Sequence, residues 1–255
     1  MRLGLLSDVH ANLQALQAVL GTLERRGVEE LLVAGDLVGY GGQPNECVTV
    51  LAEAGARCVL GNHDLLVLDR LPPTGFHALA RRAADLHRSL LSTDVRSFLD
   101  TLPTTLHTGR VLMTHGSLDS PEEYVTEERR ARELLGRLPA ETPGTDTLVL
   151  GHTHRQWLFD AVASTIPTMG TVAASCAPRL LNPGSVGQSR ERERRPRARC
   201  AVYDDTAGNV EFLQLDYDVA ASRRSLRRHG LPDRCVHAPP RLRWTAVGWA
   251  RGALR

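Results

Sequence analysis

Five short stretches of this chain carry chemistry, and each stops an apolar run. The first is Asp8-Val9-His10, at the end of residues 2–6. The others are Gly35-Asp36, Gly61-Asn62-His63-Asp64, His115-Gly116 and Gly151-His152-Thr153-His154. Among them are two aspartates, Asp8 and Asp36, one asparagine, Asn62, and four histidines, His10, His115, His152 and His154, that can all act as ligands. This is a mixed oxygen and imidazole set without thiolate. Such a set suits borderline dications such as Mn, Fe, Zn, Co or Ni more than Mg or Ca. Seven donors are too many for one tetrahedral ion and fit two ions if one carboxylate bridges them. Any single stretch reads equally well as a turn or a helix cap. Five of them on one edge do not.

The elements that must bring them together are legible in outline. Residues 2–6 read as a buried strand. Residues 12–23 follow with Leu13, Leu16, Leu20 and Leu23 at helical spacing. Residues 31–34 and 56–60 are further strands, with a helix over 44–54 between them. Such alternation predicts parallel pairing with right-handed crossovers. The loops after parallel strands share one edge, where ligands bind. Asp8, His10, Asp36, Asn62 and His63 therefore converge. Residues 65–107 break the rhythm and are expected as a helical insertion, mostly helix over 76–102. Its His77 and His87 lack an acid or histidine at ligand spacing and are expected at the surface. Strands are predicted at 111–114, 147–150 and 178–181, and a hairpin at 199–203 and 210–215. The charged stretch 127–138 reads as a solvated helix. A short helix and an irregular tail occupy about 219–255. The whole of 1–255 is expected to be one domain.

Composition excludes some function classes. The formal net charge is +2, which demands neither nucleic acid nor membrane as partner. There is no lysine, so the arginine richness reflects codon usage and carries little functional weight. Five widely spaced cysteines without a Cys-x-x-Cys argue against a disulfide framework and a thiolate zinc site. The residues before Asp8 are too few for a signal peptide, and no apolar run has membrane-spanning length. A cytoplasmic protein is expected; the oligomeric state stays open, a homo-oligomer included.

As an ordered set over residues 8–154, these motifs resemble those of the calcineurin-like metallophosphoesterase superfamily. Gly35-Asp-Leu-Val-Gly-Tyr-Gly41, Leu181-Asn-Pro-Gly-Ser-Val-Gly-Gln188 and Gly230-Leu-Pro232 are similar to stretches of its small bacterial branch, labelled phosphodiesterase or diadenosine-tetraphosphatase-like. The resemblance implies an α/β fold, a four-layer αββα sandwich of two mixed sheets flanked by helices. It implies that Asp8, His10, Asp36 and His154 hold a first divalent metal. Asp36 would bridge to a second, held also by Asn62, His115 and His152, with Mn or Fe favoured. His63 would donate a proton to the leaving group, and Asp64 would orient His63. A hydroxide shared by the two metals would attack phosphorus.

The implied activity is a dinuclear phosphoesterase acting on small phosphodiesters or nucleotides. Nucleic acid is not indicated, though it is chemically admissible as a substrate. A serine/threonine phosphoprotein phosphatase and a metal-binding scaffold without turnover are the alternatives. Tyr40 is a candidate to stack on a base or ribose, and Asn182 with its glycine-rich turn to line the pocket. After Gln188 the chain departs from the branch with Ser-Arg-Glu-Arg-Glu-Arg-Arg-Pro-Arg-Ala-Arg199. If this loop folds over the site, Arg190, Arg192 or Arg194 could clamp a second phosphate.

Overall fold

Residues 3–6 of the first strand, β1 (Arg2–Leu6), are all buried, and successive side chains point to opposite sides, which sets the layers. Leu3 and Leu5 point to one side and pack with Met113, Val149 and Phe212. Leu6 belongs to the opposite side, with Leu16, Val19 and Leu23. The computed structural model describes residues 1–167, 172–174 and 176–240. The end of the expected tail, 241–255, lies outside the described residues.

Two six-stranded sheets result. In the first, β1, β2 (Glu30–Val33) and β3 (Arg57–Cys58) are parallel. The second contains β4 (Thr105–Thr108), β5 (Val111–Thr114), β6 (Thr147–Val149), β7 (Gln156–Asp160) and β8 (Ser164–Thr165). The strand β9 (Val172–Ala174) edges the first sheet, and β10 (Arg179–Pro183) pairs parallel with β6. The hairpin of β11 (Ala198–Asp204) and β12 (Asn209–Leu215) completes the first sheet in the order β3-β2-β1-β11-β12-β9. The second runs β4-β5-β6-β10-β7-β8. Each sheet mixes parallel and antiparallel pairs.

Helices cover both outer faces. On the first sheet lie α1 (Leu13–Arg25), α2 (Pro44–Glu53), α3 (Asn62–Val67), α4 (Ala78–Leu90) and α5 (Thr93–Thr101). The helix α6 (Glu128–Glu141) covers the second sheet, and α7 (Val219–Arg228) returns to the first. This is the expected αββα sandwich. Local chemistry sets the helix starts. Asn12 caps α1 through Ala15 N–H, Ser92 caps α5 through Val95 N–H, and Pro44 opens α2. Among the described residues no helix is long and apolar enough to cross a membrane.

Several expectations need correction. The charged stretch around α6 is not merely solvated: Ala131, Leu134, Leu135 and Leu138 are buried against Leu112, Phe159 and Leu180. The expected helical stretch 76–102 is α4 and α5, but the end of the insertion, 105–108, forms β4 on the edge of the second sheet. The third strand shrinks to two residues. Strands β7, β8 and β9 lie outside the expected elements. Cys47, Cys58, Cys200 and Cys235 are buried free thiols, as expected of small core residues, whereas Cys176 is exposed.

Phe212 is fully buried in the inter-sheet cluster, so Phe212→Ala removes a ring from the seam that both sheets share. We expect a loss of about 3–5 kcal/mol in urea unfolding. A loss below about 1 kcal/mol would mean that the seam repacks and does not hold the sheets in register.

Candidate metal centre

The parallel strands of both sheets deliver their carboxyl ends to one edge. After β1 come Asp8 and His10; after β2, Asp36; after β3, Asn62 at the start of α3. After β5 comes His115, and after β6, His152 and His154. The chain turns abruptly at these points. Asp8, His10, Asp36, His152 and His154 all have positive φ, between 47° and 62°. Left-handed backbone is costly for non-glycine residues and persists only where its surroundings hold it. Here the loops zip onto each other: Asp8 N–H donates to Gly35 O at 3.0 Å and His10 N–H to Asp36 O at 2.9 Å. Gly61 is sterically obligatory, since a Cβ there would lie 2.1 Å from Asp36 Oδ1.

Each carboxylate is half committed. Asp8 Oδ2 accepts from His152 N–H at 3.1 Å, and Asp36 Oδ1 from His63 N–H at 2.8 Å. Asp8 Oδ1 and Asp36 Oδ2 are buried without a hydrogen-bond partner. The imidazoles are anchored from behind. His10 Nδ1 donates to Val38 O at 3.2 Å, His154 Nδ1 to Gln188 O at 2.8 Å and His115 Nδ1 to Ala34 O at 2.6 Å. Each Nε2 is thereby left with a lone pair. His152 is held the other way, Nε2 donating to Glu122 O at 3.1 Å, so its free lone pair is on Nδ1.

Two donor groups follow, Asp8 with His10 and His154, and Asp36 with His115 and His152. His154 Nε2 lies 3.1 Å from Asp8 Oδ1, and His10 Nε2 lies 3.2 Å from His154 Nε2. Asp36 Oδ2 is 3.2 Å from His115 Nε2 and 3.6 Å from His10 Nε2, within reach of both groups. Asn62 Oδ1 stands 3.2 Å from His115 Nε2 and joins the second group. Orphaned carboxylate oxygens facing imidazole lone pairs are stable together only around positive charge, so the donor set fits two dications.

Protonation without metal follows the same logic. Burial opposes charge on His115, but Asp36 beside it raises the imidazole to about 9, so without metal a proton on Nε2, 3.2 Å from Asp36 Oδ2, stands in for the cation there and must leave when the ring ligates. Burial likewise works against the Asp36 carboxylate, yet His115 and His63 hold it well below the usual range. Burial lowers His152 to about 3 and His63 to about 4.

The other candidates fall in several places. His63 lines a cleft of about 160 Å³ over the centre, with Tyr40, Asn62, Phe76 and Tyr124 also in its wall. Its ring makes no hydrogen bond among the described residues, and Nδ1 is buried. Asp64 does not orient it. The Asp64 carboxylate accepts from the N–H groups of Leu37, Val38 and Gly61, so it ties the 36–38 loop to the start of α3. Burial and nearby Asp36 push Asp64 up to about 7. Tyr40 is buried between the rings of His10 and His63, 4.9 and 4.6 Å away, which leaves little of its face for a base.

Asn182 does not line the pocket. Its Nδ2 donates to Gly151 O and Thr153 Oγ1 and its Oδ1 accepts from Gly184 N–H, fixing the loop that carries His152 and His154. Of the loop arginines, Arg190 folds toward the site, whereas Arg192 and Arg194 are exposed.

His87 is a further correction: it is fully buried. Its Nδ1 accepts from Gly39 N–H at 3.0 Å and its Nε2 donates to Gly41 O at 2.8 Å, clamping the turn that presents Tyr40. The signal was present, because Ala80, Ala83, Ala84 and His87 form the buried face of α4. Tyr124 gave no such signal; its ring lies 3.9 Å from that of His152.

The model of the calcineurin-like phosphoesterase superfamily domain matches residues 1–205. An uncharacterized protein of Methanocaldococcus jannaschii is 27% identical over 243 residues, 91% of this chain and 94% of that one. A solved metallophosphoesterase from Sphaerobacter thermophilus is 34% identical with a TM-score of 0.78, covering 92% of this chain and 96% of its own. A hypothetical protein from Pyrococcus horikoshii shares the fold at a TM-score of 0.72 and 18% identity, over 92% of this chain and 96% of its own.

Burial lowers His87 from 6.5 to about 4 in the folded protein. The unfolded chain therefore takes up this proton first, and stability present above pH 6.5 drains away as pH falls toward 4. The size is on the order of 3 kcal/mol. In EDTA, urea midpoints followed across this window should fall less steeply for His87→Gln than for wild type. Parallel curves would show that His87 is not held neutral.

Proposed function

Since the chain belongs to the calcineurin-like phosphoesterase superfamily, and is a metal-dependent phosphoric ester hydrolase, we propose that it hydrolyses phosphodiester or nucleotide substrates at a dinuclear centre. The first metal is assigned to Asp8, His10, Asp36 and His154, and the second to Asp36, Asn62, His115 and His152. One observation carries the reading: Asp8 Oδ1 and Asp36 Oδ2 are buried, unpartnered and surrounded by imidazole lone pairs. The mixed oxygen and nitrogen set favours Mn or Fe.

Bound dications supply Lewis acidity, which brings the pKa of a water toward neutrality and offsets charge on phosphoryl oxygens. The residues do the rest. Asp36 spans the two groups and fixes their separation. The backbone carbonyls behind His10, His115, His152 and His154 hold each ring in its ligating tautomer. His63 faces the cleft with an uncommitted ring and serves as proton donor to the leaving oxygen. Neutral in the empty site, it gains proton affinity when a phosphate anion enters beside it. Asn62 ligates without adding negative charge, so the centre keeps its attraction for anions. The phosphoprotein-phosphatase and scaffold alternatives have no observation of their own in the site.

The purified protein should bind Mn²⁺, melt at a higher temperature with it, and hydrolyse bis-p-nitrophenyl phosphate. At a metal concentration 100 times the dissociation constant the gain is about 2.7 kcal/mol. Asp36→Asn should lose both the thermal shift and turnover. His63→Ala should keep the shift and lose at least about a hundredfold in kcat. Unchanged turnover in both variants would overturn the site.

A further inference from the structure

The donor groups form the floor of the cleft but do not account for a guanidinium over its rim. Arg190 opens the arginine-rich loop two residues after Gln188, whose carbonyl anchors His154. It is half-buried. Its Nε donates to Gln188 Oε1 and its Nη1 to Tyr124 Oη, both at 3.2 Å. Its Cζ lies 6.0 Å from the Tyr124 ring centre, and that ring is 3.9 Å from His152. His152, Tyr124 and Arg190 thus form a stack that leads outward from the second donor group. The Arg190 charge reaches inward too, adding to burial in lowering His63 and His154.

Arg192, Arg194 and Arg195 of the same loop are exposed to water, and the two arginines nearest β11 are engaged. Arg199 pairs with Glu193 at 2.8 Å, and Arg197 faces Asp216 at 3.3 Å. Arg190 has no carboxylate at ion-pair distance among the described residues. A half-buried cation without a counter-ion, beside a centre that itself recruits dications, leaves an unmet demand for negative charge. The planar fork of arginine matches phosphate oxygens. Beyond it runs a groove of about 270 Å³ lined by Tyr124, Thr126, Thr153, Arg155, Arg190 and Ala238. It carries a second, largely exposed guanidinium, Arg155, whose nearest acid is Glu191 at 4.0 Å.

We propose that Arg190 is a specificity-determining residue that binds a second phosphoryl group next to the reacting one, so that the preferred substrates carry phosphoryl groups in series, as nucleoside polyphosphates do. The proposal rests on the dinuclear reading above, which places the reacting phosphoryl on the floor. Hydrolysis then adds one water across the scissile P–O bond. The water oxygen joins phosphorus, the bond to the leaving oxygen breaks, and that oxygen takes a proton.

Methylenediphosphonate and methylphosphonate, which cannot be hydrolysed, separate the two subsites. Each is titrated calorimetrically into Mn²⁺-loaded protein at fixed free Mn²⁺. Wild type should prefer the diphosphonate by at least about tenfold. Arg190→Gln should lose most of that preference and Arg190→Lys should retain part of it, while Arg195→Gln, on the exposed part of the loop, should keep the wild-type ratio. If Arg190→Gln weakens both ligands by the same factor, or leaves the ratio unaltered, Arg190 does not hold a second phosphoryl group. Wild type that hydrolyses bis-p-nitrophenyl phosphate but shows either result overturns this proposal alone. Wild type that takes up no Mn²⁺ overturns the dinuclear reading, and this proposal with it.

Discussion

Two aspartate oxygens buried without partners are the constraint on which this structure turns. A carboxylate moved out of water without compensation is far more costly than a folded domain can bear. Asp8 and Asp36 each offset part of that cost through one oxygen and a backbone N–H. The other oxygen is turned inward, toward imidazoles whose own protons point away to carbonyls. Stability and function are in direct conflict here. A fold optimised for stability alone would give these oxygens amide donors, as it gives Asp64 three. Keeping them free reserves them for cations.

The two sheets are coupled through the same place. Each donor group draws from both: Asp8 and His10 from the first sheet with His154 from the second, and Asp36 from the first with His115 and His152 from the second. The seam of Leu3, Leu5, Met113, Val149 and Phe212 therefore does more than bury apolar area. It sets how closely the two halves of each donor group approach. The left-handed turns at Asp8, His10, Asp36, His152 and His154 would relax if the loops stood alone. They are held because the first loop is bonded to the second along its length, and because Asn182 braces the loop of His152 and His154.

Much of this was legible in the chain. The strand-ending motifs, the parallel alternation and the layered α/β class could be read because short continuous apolar runs and strand-end polar residues are local signals. The donors that sequence spacing brought to one edge do assemble there in space. What could not be read depends on tertiary partners. Asp64 next to His63 looked like a partner for its ring, but the short helix α3 turns the carboxylate back to the Leu37 and Val38 amides. Asn182 looked like a pocket residue, and its whole amide is consumed by Gly151, Thr153 and Gly184. His87 has no ligand partner in the sequence, but its place on the alanine face of α4 buries it. Tyr124 sits in a loop without periodicity, so nothing in the sequence announced it.

The separation of roles between floor and rim follows from electrostatics. On the floor, two aspartates and two dications leave a formal excess of positive charge that serves any phosphoester alike, which is why the donor set by itself says little about substrate. Discrimination must come from groups further out, whose geometry is free to vary because they do not ligate. In this chain those groups lie on three separate segments: Phe76 and His77 before α4, Tyr124 before α6, and Arg190 before β11. None is part of a strand-end motif, and each can change without disturbing the buried carboxylates. A charged side chain at such a rim is meaningful only if the protein does not neutralise it. Arg197 and Arg199, nearby in sequence, face acids, whereas Arg190 is held by a phenol and an amide that fix its direction and leave its charge to be met by whatever enters the cleft.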